Sequence, residues 1–343
     1  MLPLPRKRRR RGQFPDGILE SNWGGKVKKR RVEVNARIHR KGEEDMNDLL
    51  GRKGREAASL RELLGRGEPI LAPGAYDALS ARIIEQAGFP AVYMTGFGSA
   101  AALLGRPDVG LLGMSEMIAN AARIAQVVDV PVIADADTGY GNPLNVIRTV
   151  REYERAGVAA IHIEDQILPK KCGHMENKQV IAAAEMAEKI RAAVEARRSE
   201  EFVIIARTDA RAVEGLEGAL QRARLYRDAG ADVLFVEGPQ SEQEVREIAR
   251  AFRETPLLFN WAEGGKTPPM GLERLGELGY RIIIFPISAL LVAAQAVREV
   301  MAQIRKDGTP IRVAPGFLPF KEFNNLVGLG EIQELEQRFA VGR

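Results

Sequence analysis

Eight short apolar runs, separated by longer stretches of helical character, constrain this chain more than any other feature. They lie at 69–72, 91–94, 131–134, 160–163, 202–205, 232–236, 256–259 and 281–285. Their nearly unbroken apolar character suits strands buried on both faces, as in a parallel sheet. The helical stretches between them end alike, at Gly88, Gly157, Gly230 and Gly279, each shortly before a strand. Glycine enters the left-handed conformation that stops a helix at little cost. Eight strands alternating with helices predict an α/β protein, a closed (β/α)8 barrel rather than an open sheet.

An active site in such a barrel is built where the strands end. The runs here lead into Thr95-Gly-Phe-Gly98, Asp135-Ala-Asp137, Glu164-Asp-Gln166, Arg207-Thr-Asp209, Glu237 and Asn260. Asp135 and Asp137 are two residues apart, which in an extended strand puts both side chains on one side. With Glu164 on the next strand they form three acidic groups without Cys or His partners. Grouped carboxylates of that kind are hard oxygen ligands suited to Mg2+. His162 shares the Glu164 side of its strand and reads as a packed or supporting histidine. The amides of 96–98 offer a cradle for a carboxylate.

The segment Pro169-Lys-Lys-Cys-Gly-His174 falls in a long loop after the fourth strand, the setting of a mobile lid. Cys172 is flanked there by Lys170, Lys171 and His174, neighbours that lower a thiol's pKa and suit it to proton transfer or nucleophilic attack. It is the only cysteine, so no internal disulfide forms, and three histidines argue against a Cys/His zinc site.

Charge is unevenly placed. Residues 1–45 hold 14 Lys and Arg against six Asp and Glu, whereas the remainder holds 36 against 40. The basic balance therefore belongs to an arm, read as a disordered tail, with Met46 directly after it able to open a self-sufficient chain. Nucleic-acid binding through this arm is the minor alternative, since the body offers no basic stripe. The most apolar stretch, 282–294, is shorter than the ~18 residues of a membrane span and contains Pro286, so a cytoplasmic chain is expected. Residues 46–310 are assigned to the barrel and 311–343 to a C-terminal helical extension. There Phe317, Leu318, Phe320, Phe323, Leu326 and Val327, then Ile332, Leu335 and Phe339, are apolar residues that a closed barrel does not need. They are expected to pack against another subunit.

Taken together, Thr95-Gly96, the stretch Asp135 to Gly141, Ile163-Glu-Asp-Gln166, Lys170-Lys-Cys-Gly-His174, Ala206-Arg-Thr-Asp209 and Gly264-Gly-Lys-Thr-Pro268 resemble the isocitrate lyase / phosphoenolpyruvate mutase superfamily. The resemblance implies a TIM-type barrel using Mg2+, with Mn2+ as the alternative, on a small carboxylate substrate. It also implies a homotetramer whose subunits exchange a C-terminal helix. Position by position, Asp135 and Asp137 match the metal carboxylates, and Glu164 and Asp108 stand around the metal's waters. Thr95, Gly96 and Phe97 match the carboxylate cradle, Arg207 its clamp, and Gly173, Glu237 and Asn260 further substrate contacts. Cys172 matches the acid that distinguishes carbon–carbon lyases, with Lys170 and His174 beside it. Tyr93 and Asp108 remain the two choices for the base.

The implied reaction is a retro-aldol cleavage of a 2-hydroxy di- or tricarboxylate, of the 2,3-dimethylmalate or 2-methylisocitrate type, to an α-keto acid and a carboxylate. Leu291 stands where the methylisocitrate branch carries an arginine, and Trp261-Ala-Glu-Gly-Gly265 resembles the dimethylmalate branch. Both departures favour a 2-alkylmalate-type dicarboxylate. A phosphonomutase acting on a carboxylated phosphoenolpyruvate, or an oxaloacetate decarboxylase, are the alternatives on the same barrel.

Overall fold

The structure is a computed structural model and describes residues 59–173 and 175–340. The basic arm and His174 lie outside the described residues. Eight parallel strands close in sequence order: β1 (Ile70–Ala75), β2 (Val92–Met94), β3 (Val132–Asp135), β4 (Ala160–Glu164), β5 (Val203–Thr208), β6 (Val233–Val236), β7 (Leu257–Asn260) and β8 (Tyr280–Phe285), which pairs back with β1. All eight apolar runs are strands. Three of the runs open on a proline, and the strand proper starts one residue later, because proline has no N–H for the ladder. β5 extends beyond its apolar run through Arg207 and Thr208, polar residues that an apolar pattern does not register.

The helices fill the intervals: α1 (Leu60–Gly65), α2 (Ala78–Gln86), α3 (Gly96–Leu104), α4 (Met114–Ala125), α5 (Pro143–Arg155), α6 (Ala183–Ala196), α7 (Arg211–Asp228), α8 (Glu242–Ala251), α9 (Leu272–Glu277) and α10 (Ser288–Asp307). Gly88, Gly157, Gly230 and Gly279 adopt φ of +85°, +86°, +102° and +93°, the left-handed stops expected of them.

The pleat divides the core in two. Ile204 and Ala206 of β5 face the helices, whereas Val203 and Ile205 face the barrel interior with Tyr93, Ile133, Phe235, Leu258, Ile282 and Ile284. Leu60 and Leu63 of α1 pack onto this inner set and close the end where the strands begin. The Ser59 capping box with Glu62 starts α1, and Arg61 ties it to Asp232 at 2.9 Å.

Asp165, directly after β4, joins two strands to a helix from behind the site. Its carboxylate accepts from Thr208 Oγ1 (2.7 Å), the Asp209 amide (2.9 Å) and the Tyr226 hydroxyl (2.7 Å), with Arg222 at 3.3 Å. Two short helices, α11 (Phe320–Leu326) and α12 (Leu329–Arg338), follow α10. The 20-residue α10 has no buried residue, and Phe320 is 81% exposed. The C-terminal apolar residues thus lie outside the core, as their redundancy to a closed barrel implied. No helix among the described residues is long and apolar enough to cross a membrane.

Asp165→Ala leaves three buried donors without their acceptor, while Arg222 keeps Glu214 (2.6 Å) and the Ile181 carbonyl (2.8 Å). Unfolding in urea is expected to show a loss of about 3–5 kcal/mol. A loss below about 1 kcal/mol would show that the network does not hold the barrel together.

Candidate active site

The interior alternation continues upward past the apolar layer and sets out the polar residues. On β5 the inward sequence Val203, Ile205 leads to Arg207 and then Asp209. On β4 it runs Ala160, His162, Glu164, and on β6 Val233, Phe235, Glu237. Tyr93, Asp135, Asn260 and Ile284 hold the equivalent places on their strands. A cavity of about 140 Å³ opens above them, lined among others by Tyr93, Asp108, Asp135, Lys170, Cys172 and Arg207. Thr95, Phe97, Gly173 and Asn260 line it too. Gly96, Asp137, Glu164 and Glu237 join the same group through direct contacts.

Arg207 is the electrostatic centre. Its Nε donates to Asp209 Oδ2 at 2.9 Å and its Nη2 to Asp209 Oδ1 at 3.2 Å, while Glu164 Oε2 lies 3.3 Å from Nε. The guanidinium also rests over the Phe235 ring, 5.1 Å from its centroid. Burial works to raise the Asp209 carboxyl, but Arg207 and Lys178 overcome it and hold the group well below the usual range. Asn260 Nδ2 donates to Glu237 at 3.1 Å.

Lys170 reaches from the lid loop into the acidic side, with Nζ 2.6 Å from Asp108 and 2.5 Å from Asp137. Sequence pattern cast it as a neighbour of Cys172 that lowers the thiol's pKa. Its ammonium instead lies between two carboxylates and is itself held charged, well above its ordinary value, against the effect of burial. Burial pushes Asp137 up to about 7, with Asp135 and Asp108 adding to the effect and Lys170 opposing it. Burial likewise drives Glu164 well above the carboxylate range, although Arg207 pulls the other way.

The three acidic residues read as metal ligands are neighbours, but they do not form a ready ligand cluster. Among the described residues no group of three Asp, Glu, His or Cys side chains stands so that it could hold a metal ion. Asp137 faces Lys170 and Glu164 faces Arg207, while Asp135 accepts from the Gly96 and Asp137 amides at 3.2 and 2.9 Å. Strand alternation is also not what places Asp137. β3 ends at Asp135, and Asp137 sits in the turn beyond it at φ +48°, its carbonyl accepting from the Glu164 amide at 2.8 Å. A left-handed turn, which Asp tolerates better than most residues, carries the second carboxylate to the site.

Thr95 caps α3, its Oγ1 accepting from Gly98 N at 3.2 Å. The Gly96 amide, expected to cradle a carboxylate from outside, here donates to Asp135. His162 is fully buried and 2.7 Å from the Tyr93 hydroxyl, the supporting part read for it. Burial lowers His162 to about 4, so it is neutral. Burial, aided by Asp135, holds the Tyr93 phenol far above its ordinary value and therefore protonated. Cys172 is half-buried at the cavity wall, its amide donating to the Asp108 carbonyl at 3.2 Å.

Sequence reasoning named Asp209 and Glu263 within motifs at the strand ends without giving either a role, and it missed Lys178. Asp209 continues the inward alternation after Arg207. Lys178 carried no signal, being a lone lysine in a loop. Glu263 lines the cavity, bonded to the Ser288 hydroxyl, with Oε2 buried and without a hydrogen-bond partner.

The model of the phosphoenolpyruvate phosphomutase family matches residues 60–305. The chain belongs to this family. It is 48% identical to 2,3-dimethylmalate lyase of Eubacterium barkeri over 84% of this chain and 99% of that protein. Identity to 2-methylisocitrate lyase of Aeropyrum pernix is 45%, over 80% of this chain and 88% of that one. A crystal structure of 2,3-dimethylmalate lyase superposes with a TM-score of 0.77 at 43% identity, covering 81% of this chain and 93% of that one. Phosphonopyruvate hydrolase, solved with oxalate and Mg2+, superposes at 0.75 and 33% identity, covering 82% and 97%. The resemblance of the motifs thus holds for the family and for the barrel.

A methyl group at Gly96 would lie 2.3 Å from Asp135 Oδ2, so Gly96→Ala displaces that carboxylate. The variant is expected to keep its far-UV circular dichroism and lose on the order of a hundredfold in kcat/KM. An unchanged kcat/KM would show that Asp135 need not stand where it does.

Proposed function

We propose that the chain is a Mg2+-dependent carbon–carbon lyase that cleaves a 2-alkylmalate-type 2-hydroxy dicarboxylate, such as 2,3-dimethylmalate, to an α-keto acid and a carboxylate. The observation that carries this reading is the polarity of the cavity. Arg207, Lys170, Asp108 and Asp135 line it together with the apolar Ala262, Ile284, Pro286 and Ile287 and with Glu263. Lys170 and Arg207 are the only cations among the described lining residues. A third carboxylate would find no further cation there, whereas the apolar residues at the ends of β7 and β8 welcome a small alkyl branch. Leu291 in place of an arginine points the same way.

The donor set suits a hard divalent cation. Asp135, Asp137 and Glu164 supply oxygen only, and Glu164 Oε1 is buried without a hydrogen-bond partner. Two carboxylates driven upward by burial are in the state that a divalent charge relieves. These three residues would hold Mg2+, with Mn2+ as a substitute, and Asp108 would stand around its waters. The bound ion would supply Lewis-acid stabilisation of the negative charge on the substrate's 2-oxygen as its proton leaves.

The remaining chemistry falls to side chains of the cavity. Arg207, held flat by Asp209, clamps the 2-hydroxy acid end, with Thr95 and Phe97 of the cavity wall beside its carboxylate. Glu237, Asn260 and Gly173 line the other end. Tyr93 is kept as a phenol by its surroundings and serves as a hydrogen-bond donor, which leaves Asp108 to accept the hydroxyl proton. As the C2–C3 bond breaks, its electron pair passes to C3, and the Cys172 thiol delivers a proton there, with His174 beside it in sequence.

The subunit arrangement we propose is a homotetramer with exchanged C-terminal helices. Its support is α10, none of whose residues is fully buried within its own subunit, and the exposed apolar faces of Val292, Val297, Met301 and Phe320. Light scattering is expected to give about four times the 37.7 kDa chain mass, and deletion of 311–343 to lower it. A monomeric mass for the full chain would overturn this arrangement.

Purified protein with Mg2+ is expected to release pyruvate from 2,3-dimethylmalate and far less from 2-methylisocitrate. Removal of the metal by EDTA, or Cys172→Ser, abolishes the release. If no keto acid appears from either substrate, the lyase reading fails, and phosphonomutase and oxaloacetate decarboxylase assays become the next comparison.

A further inference from the structure

The lid loop runs from Gln166 to Val180, which meet in an antiparallel bridge, and it carries Lys170, Cys172 and Gly173 over the cavity. On its outgoing limb Lys170 joins the loop to Asp108 and Asp137, and the Cys172 amide joins it to the Asp108 carbonyl; most of its other ties are local or lie at the surface. The Lys171 amide donates to Gln166 Oε1 at 3.0 Å, and exposed Glu176 pairs with Lys266. An exposed pair of the latter kind is worth little.

Lys178 is different. It lies on the returning limb of the loop, its side chain is 2% exposed, and its ammonium makes two contacts that link separate parts of the site. One is to Asp209 Oδ1 at 2.7 Å, on the carboxylate that holds Arg207 from behind. The other is to the carbonyl oxygen of Gly173, the residue next to Cys172. Gly173 in turn sits so tightly on the clamp that a methyl there would lie 2.7 Å from both Arg207 Nη2 and Glu237.

We infer that Lys178 is a positioning residue that latches the closed lid to the substrate clamp, so that Cys172 is held in place only when Asp209 and Arg207 are aligned. The inference rests on the lyase reading for its catalytic consequence and on geometry alone for the latch. A buried ammonium gains its full interaction only with both acceptors in place. Opening the lid removes the Gly173 carbonyl and leaves Asp209 to hold both cations. A ligand anion that draws Arg207 into alignment therefore also favours closure. Lys178 touches no reacting atom and acts through Gly173 and Asp209.

The single cysteine makes the test direct, because alkylation of the protein's thiol reports on Cys172 alone. Iodoacetamide labelling of wild type, Lys178→Met, Lys178→Gln and Lys178→Arg is followed with Mg2+, with and without oxalate as a small dicarboxylate probe. kcat and KM for 2,3-dimethylmalate are measured alongside. Oxalate is expected to slow labelling of the wild type on the order of tenfold and to protect Lys178→Met hardly at all. kcat of that variant falls by on the order of a hundredfold while KM changes by less than about fivefold, and Lys178→Arg restores most of both. Should Lys178→Met fail to fold, Lys178→Gln, which is neutral but retains amide N–H donors, serves the same comparison. Equal protection in wild type and in the folded neutral variant overturns the latch, as does a fall in kcat that Lys178→Arg does not rescue. If the wild type shows no turnover, the lyase reading fails by itself, and the labelling still decides the latch.

Discussion

A closed barrel of parallel strands gives each strand one line of inward side chains two residues apart, and everything at this site depends on that spacing. Ile205 fills the interior, and two residues later Arg207 has no choice but to face the same axis. The same step converts Phe235 into Glu237, Leu258 into Asn260 and His162 into Glu164. The apolar layer thus aims the polar layer above it. Because the strands are locked in register by their ladders, the aim is rigid, which is what a constellation of charges needs if it is not to reorganise during a reaction.

The constellation is costly to the fold. Asp135, Asp137, Glu164, Asp209 and Glu237 are all buried, with Arg207, Lys170 and Lys178 among them. Charges out of water must be paired, and here two of the three cations serve two carboxylates each: Arg207 faces Asp209 and Glu164, and Lys170 faces Asp108 and Asp137, while Lys178 serves Asp209 and the Gly173 carbonyl. The arrangement still leaves Asp137 and Glu164 pushed toward protonation, and Glu164 Oε1 without a hydrogen-bond partner. A protein selected only for stability would fill this space with Leu and Ile. Under the proposed function, the uncompensated acidity would be relieved by a divalent cation, whose charge an anionic substrate would in turn complete.

Most of this was legible before any coordinates, and the reason is periodicity. Buried parallel strands announce themselves as apolar runs, and glycines at fixed places stop the helices, so eight strands and their order follow. The residues where the runs end then name the site. What was not legible is whatever periodicity does not govern. Asp137 reaches the site through a left-handed turn rather than a pleat. Lys170, read from its sequence neighbours as a partner of Cys172, lies between two carboxylates contributed by other loops. Lys178 is invisible in the chain because its role depends on a loop folding back over Asp209, a contact between residues 31 positions apart. The family resemblance supplied roles for Arg207 and Cys172 that spacing alone did not.

The most direct test of the account is to run the cleavage of 2,3-dimethylmalate in D2O and examine the products by NMR, the propionate as its ester with a chiral alcohol. Breaking the C2–C3 bond with Cys172 as the proton donor predicts pyruvate and propionate in equal amounts. The propionate would carry a single deuterium at C2, on one face only, since the donor is fixed on one wall of the cavity. Pyruvate accompanied by propionate labelled equally on both faces would remove Cys172 as the positioned acid. Pyruvate with no labelled propionate would contradict carbon–carbon cleavage through a carbanion altogether.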